Sequence, residues 1–257
     1  MADFKPVCLV LGAGAGIGGH VGKRFAKAGY HAVLCRRSDQ EGLNRLVDDI
    51  KTDGGSASGR LVNAVQENSL EDLIGSVETD IGPIEVVVFN LGAQIGNQPL
   101  ADTSYKAFEL GWRMATFALF RFASAVTPYM AERGSGTILV TSATAAMRGN
   151  GGQHSHAAAM GGRRMLAQTL NAEFGPKGIH VAHIIIDGSV EAPDTLGKLL
   201  GDEIYNKLLE AKGQGKDELL IPASIAETYF QVAQQHRSAW THELDLRPFK
   251  ETPWWNS

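Results

Sequence analysis

Cysteine is scarce: the 257 residues hold only Cys8 and Cys35, each inside an apolar run. Two thiols so placed argue against a disulfide-stapled scaffold and read as reduced, buried core residues. A strong charge of either sign is also missing, since the formal net charge is -4. That balance gives no reason to expect nucleic acid or an anionic membrane as partner. No apolar run reaches the roughly 18 residues of a membrane span. The opening MADFKPVCLVLGAG has too few apolar residues before its glycines to serve as a signal peptide. A soluble protein of the bacterial or organellar cytoplasm is the default expectation. Linkers, repeats and low-complexity stretches are lacking too, so a single domain over residues 1–257 is expected. What is present is ordinary globular material, 44% hydrophobic and 20% charged, able to bury a real core. Thirty glycines suit a fold with many tight strand–helix turns.

Short apolar runs alternate with longer helical stretches. Val7–Leu11 reads as a strand, followed by a glycine turn and a helix over about Ile17–Ala28. His31–Cys35 is a second strand, and Ser38 with Glu41 forms a capping box for a helix to about Thr52. A third strand near Arg60–Val62 precedes a helix over Ser69–Asp80, with Asn68 and Glu71 in capping positions. Ile84–Phe89 is apolar throughout, as expected of a strand covered on both faces. A long helical region, Ser104–Glu132, leads to strand Thr137–Thr141, helix Ser155–Phe174 and strand His180–Ile186. Strand and helix repeated in this order predict an α/β fold. It is a single doubly wound parallel sheet with helices on both faces, of Rossmann type.

The turn Gly12-Ala13-Gly14-Ala15-Gly16-Ile17-Gly18 lies between the first strand and the first helix. Glycine strings alone are weak signals, but this placement is specific. Residues without Cβ let backbone N–H groups approach a pyrophosphate, and the helix that follows offers unsatisfied N–H groups to the same anion. The second strand ends Cys35-Arg36-Arg37-Ser38, with no carboxylate before Asp39. An acidic group there would accept bonds from ribose hydroxyls, whereas two guanidiniums and a hydroxyl suit a 2′-phosphate. NADP(H) is therefore expected over NAD(H), solvated surface arginines being the plainer alternative.

With these residues in place, the chain resembles the short-chain dehydrogenase/reductase family to about residue 247. Gly12, Gly16, Ile17 and Gly18 resemble its glycine motif, and Asn90-Leu91-Gly92 its Asn-Ala-Gly motif after the fourth strand. Ala172-Glu173-Phe174-Gly175-Pro176 with Gly178-Ile179 is similar to the segment leading into the sixth strand. The resemblance places Asn63 near the adenine ring, where an aspartate is usual, and Asp187-Gly188 where Pro-Gly is usual. It also implies dimers or tetramers built on Ser104–Glu132 and Ser155–Phe174, whose apolar faces carry Phe117, Phe120 and Leu166. The family's chemistry uses a tyrosine, a lysine four residues on, a serine and an asparagine. Here those positions fall on His156, Met160, Ala143 (with Ser142 beside it) and Ala115.

The substitutions change the chemistry that is available. Tyrosine, with a pKa near 10, needs a neighbouring cation to work near neutral pH, while histidine starts near 6.5 and does not. Losing the lysine together with the tyrosine is thus a coherent pair of changes. In that scheme His156 gives a proton to the alkoxide formed by hydride transfer, Ser142 or Thr144 steadies the oxygen, and Arg164 is a candidate for the lost charge. The plainer reading is that His154 and His156 belong to a solvated helix start, where the protonated imidazole is disfavoured. No metal site is expected from them. Residues 187–220 fall where the family has a mobile substrate lid, with a plain surface helix over Leu196–Ala211 the alternative. Trp254-Trp255 is expected to dock on its own core or on a partner subunit. Two functions remain open: an NADP(H)-dependent oxidoreductase for a small carbonyl or alcohol, and a catalytically silent NADP(H)-binding sensor or assembly partner.

Overall fold

A computed structural model describes residues 5–92, 97–213 and 215–256. Seven strands form one sheet: β1 (Val7–Leu11), β2 (His31–Arg36), β3 (Ser56–Leu61), β4 (Ile84–Phe89), β5 (Gly136–Ala143), β6 (Ile179–Ile186) and β7 (Glu243–Leu246). Their order is β3-β2-β1-β4-β5-β6-β7, and every pairing is parallel. The order reverses between β1 and β4, which leaves a crevice at their C-terminal ends.

Alternation along the strands builds two cores. Val7, Leu9 and Leu11 of β1 face helices α3 (Ser69–Asp80), α5 (Ala118–Arg133) and α6 (His154–Phe174). Cys8 and Val10 face the opposite layer of α1 (Ile17–Lys27), α2 (Gln40–Thr52) and α9 (Pro222–Ala233). A sheet covered on both faces needs apolar residues at every position, and all five residues of β1 and all eight of β6 are buried. Both cysteines are free and buried, as expected. Burial pushes the Cys35 thiol up to about 12 and the Cys8 thiol higher still, so neither is a nucleophile at neutral pH.

Three local expectations are corrected. β3 runs over Ser56–Leu61, four residues earlier than the apolar pattern suggests. It is an edge strand, and Gly59 leaves room for the Leu43 side chain, which would lie 2.8 Å from a Cβ there. Helix α2 is capped by Asp39, not by a Ser38–Glu41 box. Asp39 sits at φ 69° and accepts a 2.9 Å bond from the Gly42 N–H. Asn68 precedes α3 at φ 59° without a side-chain cap, and Glu71 turns outward to accept from Arg121 Nε at 2.9 Å.

The long helical region starts at Ser104, whose hydroxyl caps Ala107 N–H. It comprises α4 (Tyr105–Trp112), a π-helical turn (Arg113–Phe117) and α5. Such a turn changes the helical phase and commonly marks a functional site. Here it buries Ala115 against Ala145, Ala159 and Met160, and sends Thr116 Oγ1 to the Ala159 carbonyl at 2.8 Å. After β6 come a second π-helical turn (Pro193–Gly197), the short α7 (Lys198–Leu200) and α8 (Asp202–Lys212). Gly201, at φ 80°, breaks the continuous helix expected over 196–211.

Candidate active site

A cleft of about 530 Å³ opens at the C-terminal ends of β1, β2, β4 and β5. Its first wall is the glycine turn. Gly12 and Ala13 both donate to the Cys35 carbonyl at 2.9 Å, which fixes the turn against the end of β2. Gly12 sits at φ 97°, and a Cβ there would lie 2.5 Å from the Asn90 carbonyl oxygen. A Cβ at Gly18 would overlap the Gly12 carbonyl and stand 2.8 Å from Ala13 Cα. Both positions therefore require glycine for steric reasons. Asn90 Nδ2 donates to Gly12 O at 2.9 Å, so the Asn-Leu-Gly segment props the turn from behind. Gly14, Gly16, Ile17, Gly92, Arg36, Arg37 and Ser38 also line the cleft. Asn63 and Gly188 do not. Asn63 is exposed and caps its own turn toward Val65, and Gly188, at φ 144°, makes room for Pro248.

The far wall comes from β5 and α6. His156, Met160 and Arg163 stand at i, i+4 and i+7, on one face of α6, and all three line the cleft. Ser142 lines it too, though its hydroxyl points at Met160 Sδ, 3.9 Å away. Sequence reasoning chose Arg164 for the missing cation, and the structure corrects this. Arg164 is turned away into a paired bond with Glu243, at 2.7 and 2.8 Å, which also accepts from His183 at 3.0 Å. The cation at the cleft is Arg163, only 1% exposed. It donates to the Thr141 carbonyl at 2.6 Å and the Leu91 carbonyl at 2.9 Å, and its guanidinium lies 4.9 Å from the Phe89 ring centre. No carboxylate pairs with it among the described residues. Burial lowers its pKa to about 9, which still leaves it charged at neutral pH.

Asp194 is a further residue at the site, and no sequence pattern pointed to it. Its carboxylate accepts 2.8 Å bonds from Ala15 N–H and from Arg36 Nη2, with Lys198 Nζ at 3.4 Å. Partial burial pushes its pKa up, and the Ala15 N–H, Arg36 and Lys198 together more than offset this, holding it below the usual carboxylate value. The contact with Ala15 spans 179 residues of chain, so no local signal could reveal it.

The tail docks on its own chain. Trp254 donates through Nε1 to Asp245 at 2.8 Å and through its backbone N–H to Asp187 at 3.2 Å, and its carbonyl accepts from Arg148 at 2.8 Å. Among the described residues there is no cluster of three metal-ligating side chains, and no helix is long and apolar enough to cross a membrane.

The family model for short chain dehydrogenases matches residues 6–195. This chain belongs to the short-chain dehydrogenase/reductase family. The short-chain reductase protein NovJ of Streptomyces niveus is 30% identical to it over 242 residues, covering 93% of this chain and 91% of that one. The 7alpha-hydroxysteroid dehydrogenase of Escherichia coli K12 is 28% identical over 202 residues, covering 79% and 77%. A solved structure under the same enzyme name, complexed with NADH and 7-oxo glycochenodeoxycholic acid, superposes with a TM-score of 0.80 at 25% identity, covering 94% of each chain. A short-chain dehydrogenase from Rhodopseudomonas palustris superposes with a TM-score of 0.78 at 33% identity, covering 95% and 99%.

Proposed function

We propose that this family member is an NADP(H)-dependent oxidoreductase interconverting a small carbonyl compound and its alcohol, with His156 as proton donor in place of the family's tyrosine. The observation that carries the reading is one continuous cleft, with the glycine turn and Arg36 at one end and Ser142, His156 and Arg163 at the other. A dinucleotide fits that shape. Its diphosphate would lie on the Gly12–Gly18 turn, its 2′-phosphate against Arg36, Arg37 and Ser38, and its nicotinamide ribose toward Asn90 and Gly92. When bound, the nicotinamide supplies or accepts a hydride. His156 then exchanges a proton with the substrate oxygen, which Ser142 or Thr144 holds. Arg163 keeps a fixed positive charge under this end of the cleft, taking over the electrostatic part of the lysine that Met160 replaces.

A second reading keeps the nucleotide and drops the chemistry. Ser142 is engaged with Met160, and Arg163 is committed to two carbonyls, as in a protein that only senses or presents NADP(H). Turnover of NADPH with a panel of small aldehydes and ketones separates the two. Oxidation of NADPH that is lost in His156→Ala supports the enzyme with this proton donor. Turnover that survives the substitution removes His156 from that role, and saturable binding without any turnover supports the silent reading.

The reading extends to a single-domain chain that acts on small molecules in the cytoplasm, where two buried free thiols stay reduced. It also includes a homodimer or homotetramer. Phe108, Trp112 and Phe120 on α4 and α5 are 42%, 42% and 52% exposed, an apolar stripe suited to self-association.

A further inference from the structure

The segment after β6 places a carboxylate where the nucleotide's own anion belongs. Asp194 takes the Ala15 N–H and the Arg36 guanidinium, the pair of groups that a 2′-phosphate would use under the function proposed above. Two residues earlier, buried Ala192 packs on the glycine turn. A Cβ at Gly16 would lie 2.8 Å from the Ala192 Cβ, so this segment covers the turn where a diphosphate would rest. The base of the segment is fixed: Glu191 N–H donates to Leu220 O at 2.9 Å, and Leu220 N–H to Ser189 O at 2.9 Å. Between that anchor and Gly201 lies only the π-helical turn with one short helical turn. Lys198, 64% exposed, reaches back to the same carboxylate.

We propose that Asp194 is an intramolecular latch: it closes the 192–201 strap over the glycine turn, and either nicotinamide dinucleotide must displace it before binding. Two features make the latch selective in its opening. Ala192 covers the diphosphate position, so NADPH and NADH both have to lift the strap. A 2′-phosphate then restores an anion to Ala15 and Arg36, whereas NADH leaves Arg36 to Asp39 alone, which it already meets at 3.1 Å. Binding to a chain that is mostly latched is weakened by the open fraction, and by the same factor for both ligands. Charge-assisted bonds of this kind hold a strap closed about nine-tenths of the time or more.

The test compares Asp194→Ala with the wild-type protein, with Asp194→Asn as the milder variant. Asn still accepts from the Ala15 N–H but loses the charge facing Arg36 and Lys198. The equilibrium readout is quenching of protein fluorescence by NADPH and, separately, by NADH. The ligand-free readout is amide hydrogen exchange across residues 192–201. The latch predicts that Asp194→Ala binds both nucleotides about tenfold more tightly (about 1.4 kcal/mol), with Asp194→Asn in between. It also predicts faster exchange across the strap without ligand. Unchanged or weaker affinity for both nucleotides overturns the latch while leaving the nucleotide reading intact. Tightening of NADPH alone also overturns it, since Asp194 would then compete only for the 2′-phosphate position. If neither protein binds either nucleotide, the nucleotide reading fails and the latch fails with it. Faster strap exchange alone would then mark Asp194 as a structural clasp.

Discussion

Arg163→Met offers a sharp perturbation, because Arg163 is a buried cation without a counter-charge among the described residues. Methionine keeps most of the aliphatic volume but removes the donors and the charge. The Thr141 and Leu91 carbonyls then lose partners at 2.6 and 2.9 Å. Leaving a buried acceptor unpaired costs about 1–3 kcal/mol each, and losing the guanidinium above Phe89 adds about 1–2 kcal/mol. Against this stands the relief of no longer burying an unpaired charge, several kcal/mol by the usual cost of such burial. The opposing effects are of similar size, so the unfolding free energy should move by less than about 2 kcal/mol. Nucleotide binding should respond much more, because the cleft loses its fixed positive charge and the tie between the ends of β4 and β5. The expected loss is about tenfold or more in NADPH affinity, taking one charge-assisted interaction at about 1.5–3 kcal/mol. Urea unfolding and NADPH titration on the same preparations measure both quantities, and Arg163→Lys should recover part of the binding. A variant destabilised by more than about 4 kcal/mol with unchanged NADPH affinity would refute the argument and make Arg163 a structural strut.

Three other outcomes follow from particular contacts. Gly18→Ala places a methyl group against Gly12 O and Ala13 Cα, and should cost about 1–3 kcal/mol in urea unfolding with loss of nucleotide binding; a variant of native stability and affinity would contradict the steric account of the turn. His183 is fully buried, and burial lowers its pKa to about 4 despite the opposing pull of Glu243. Between pH 6.5 and 4 the unfolded chain therefore holds a proton that the folded chain lacks, and stability falls on acidification by at most about 3 kcal/mol. The Arg164 guanidinium holds Glu243 below the usual carboxylate range, so its contribution is lost in the same direction at lower pH. Urea midpoints at pH 7 and 5.5 should show the fall in the wild type and a flatter response in His183→Gln; equal slopes would rule His183 out. Trp254→Ala removes the indole donor to Asp245 and should lower the midpoint by the equivalent of about 1–3 kcal/mol; a midpoint unmoved would mean the docked tail adds nothing to stability.

Much of this architecture was legible because local and tertiary demands agree. Cys8, Val10, Val86 and Val88 are apolar on one face of the sheet, and Leu9, Leu11, Val87 and Phe89 on the other. That is the signature of strands covered on both sides. The glycine turn was legible for a related reason, since Gly12 and Gly18 answer to steric limits that only glycine meets. β3 was misplaced because an edge strand beside Leu43 is served by Ser, Ala and Gly, which carry no periodic signal. Arg163 was missed in favour of Arg164 by one residue of helical phase. The i, i+4, i+7 series from His156 reaches Arg163, and the next position turns toward Glu243 on β7. Asp194 was beyond reach, because its partners lie at the far end of the chain order and meet it only in the folded cleft.

The most direct measurement is a fluorescence titration of the purified protein with NADPH and with NADH. Saturable binding of both, with NADPH tighter by about tenfold or more and that preference abolished in Arg36→Ala/Arg37→Ala, is the expected result. No binding of either nucleotide at millimolar concentration would contradict the assignment of the glycine-lined cleft. A preference for NADH would contradict the role given to Arg36 and Arg37.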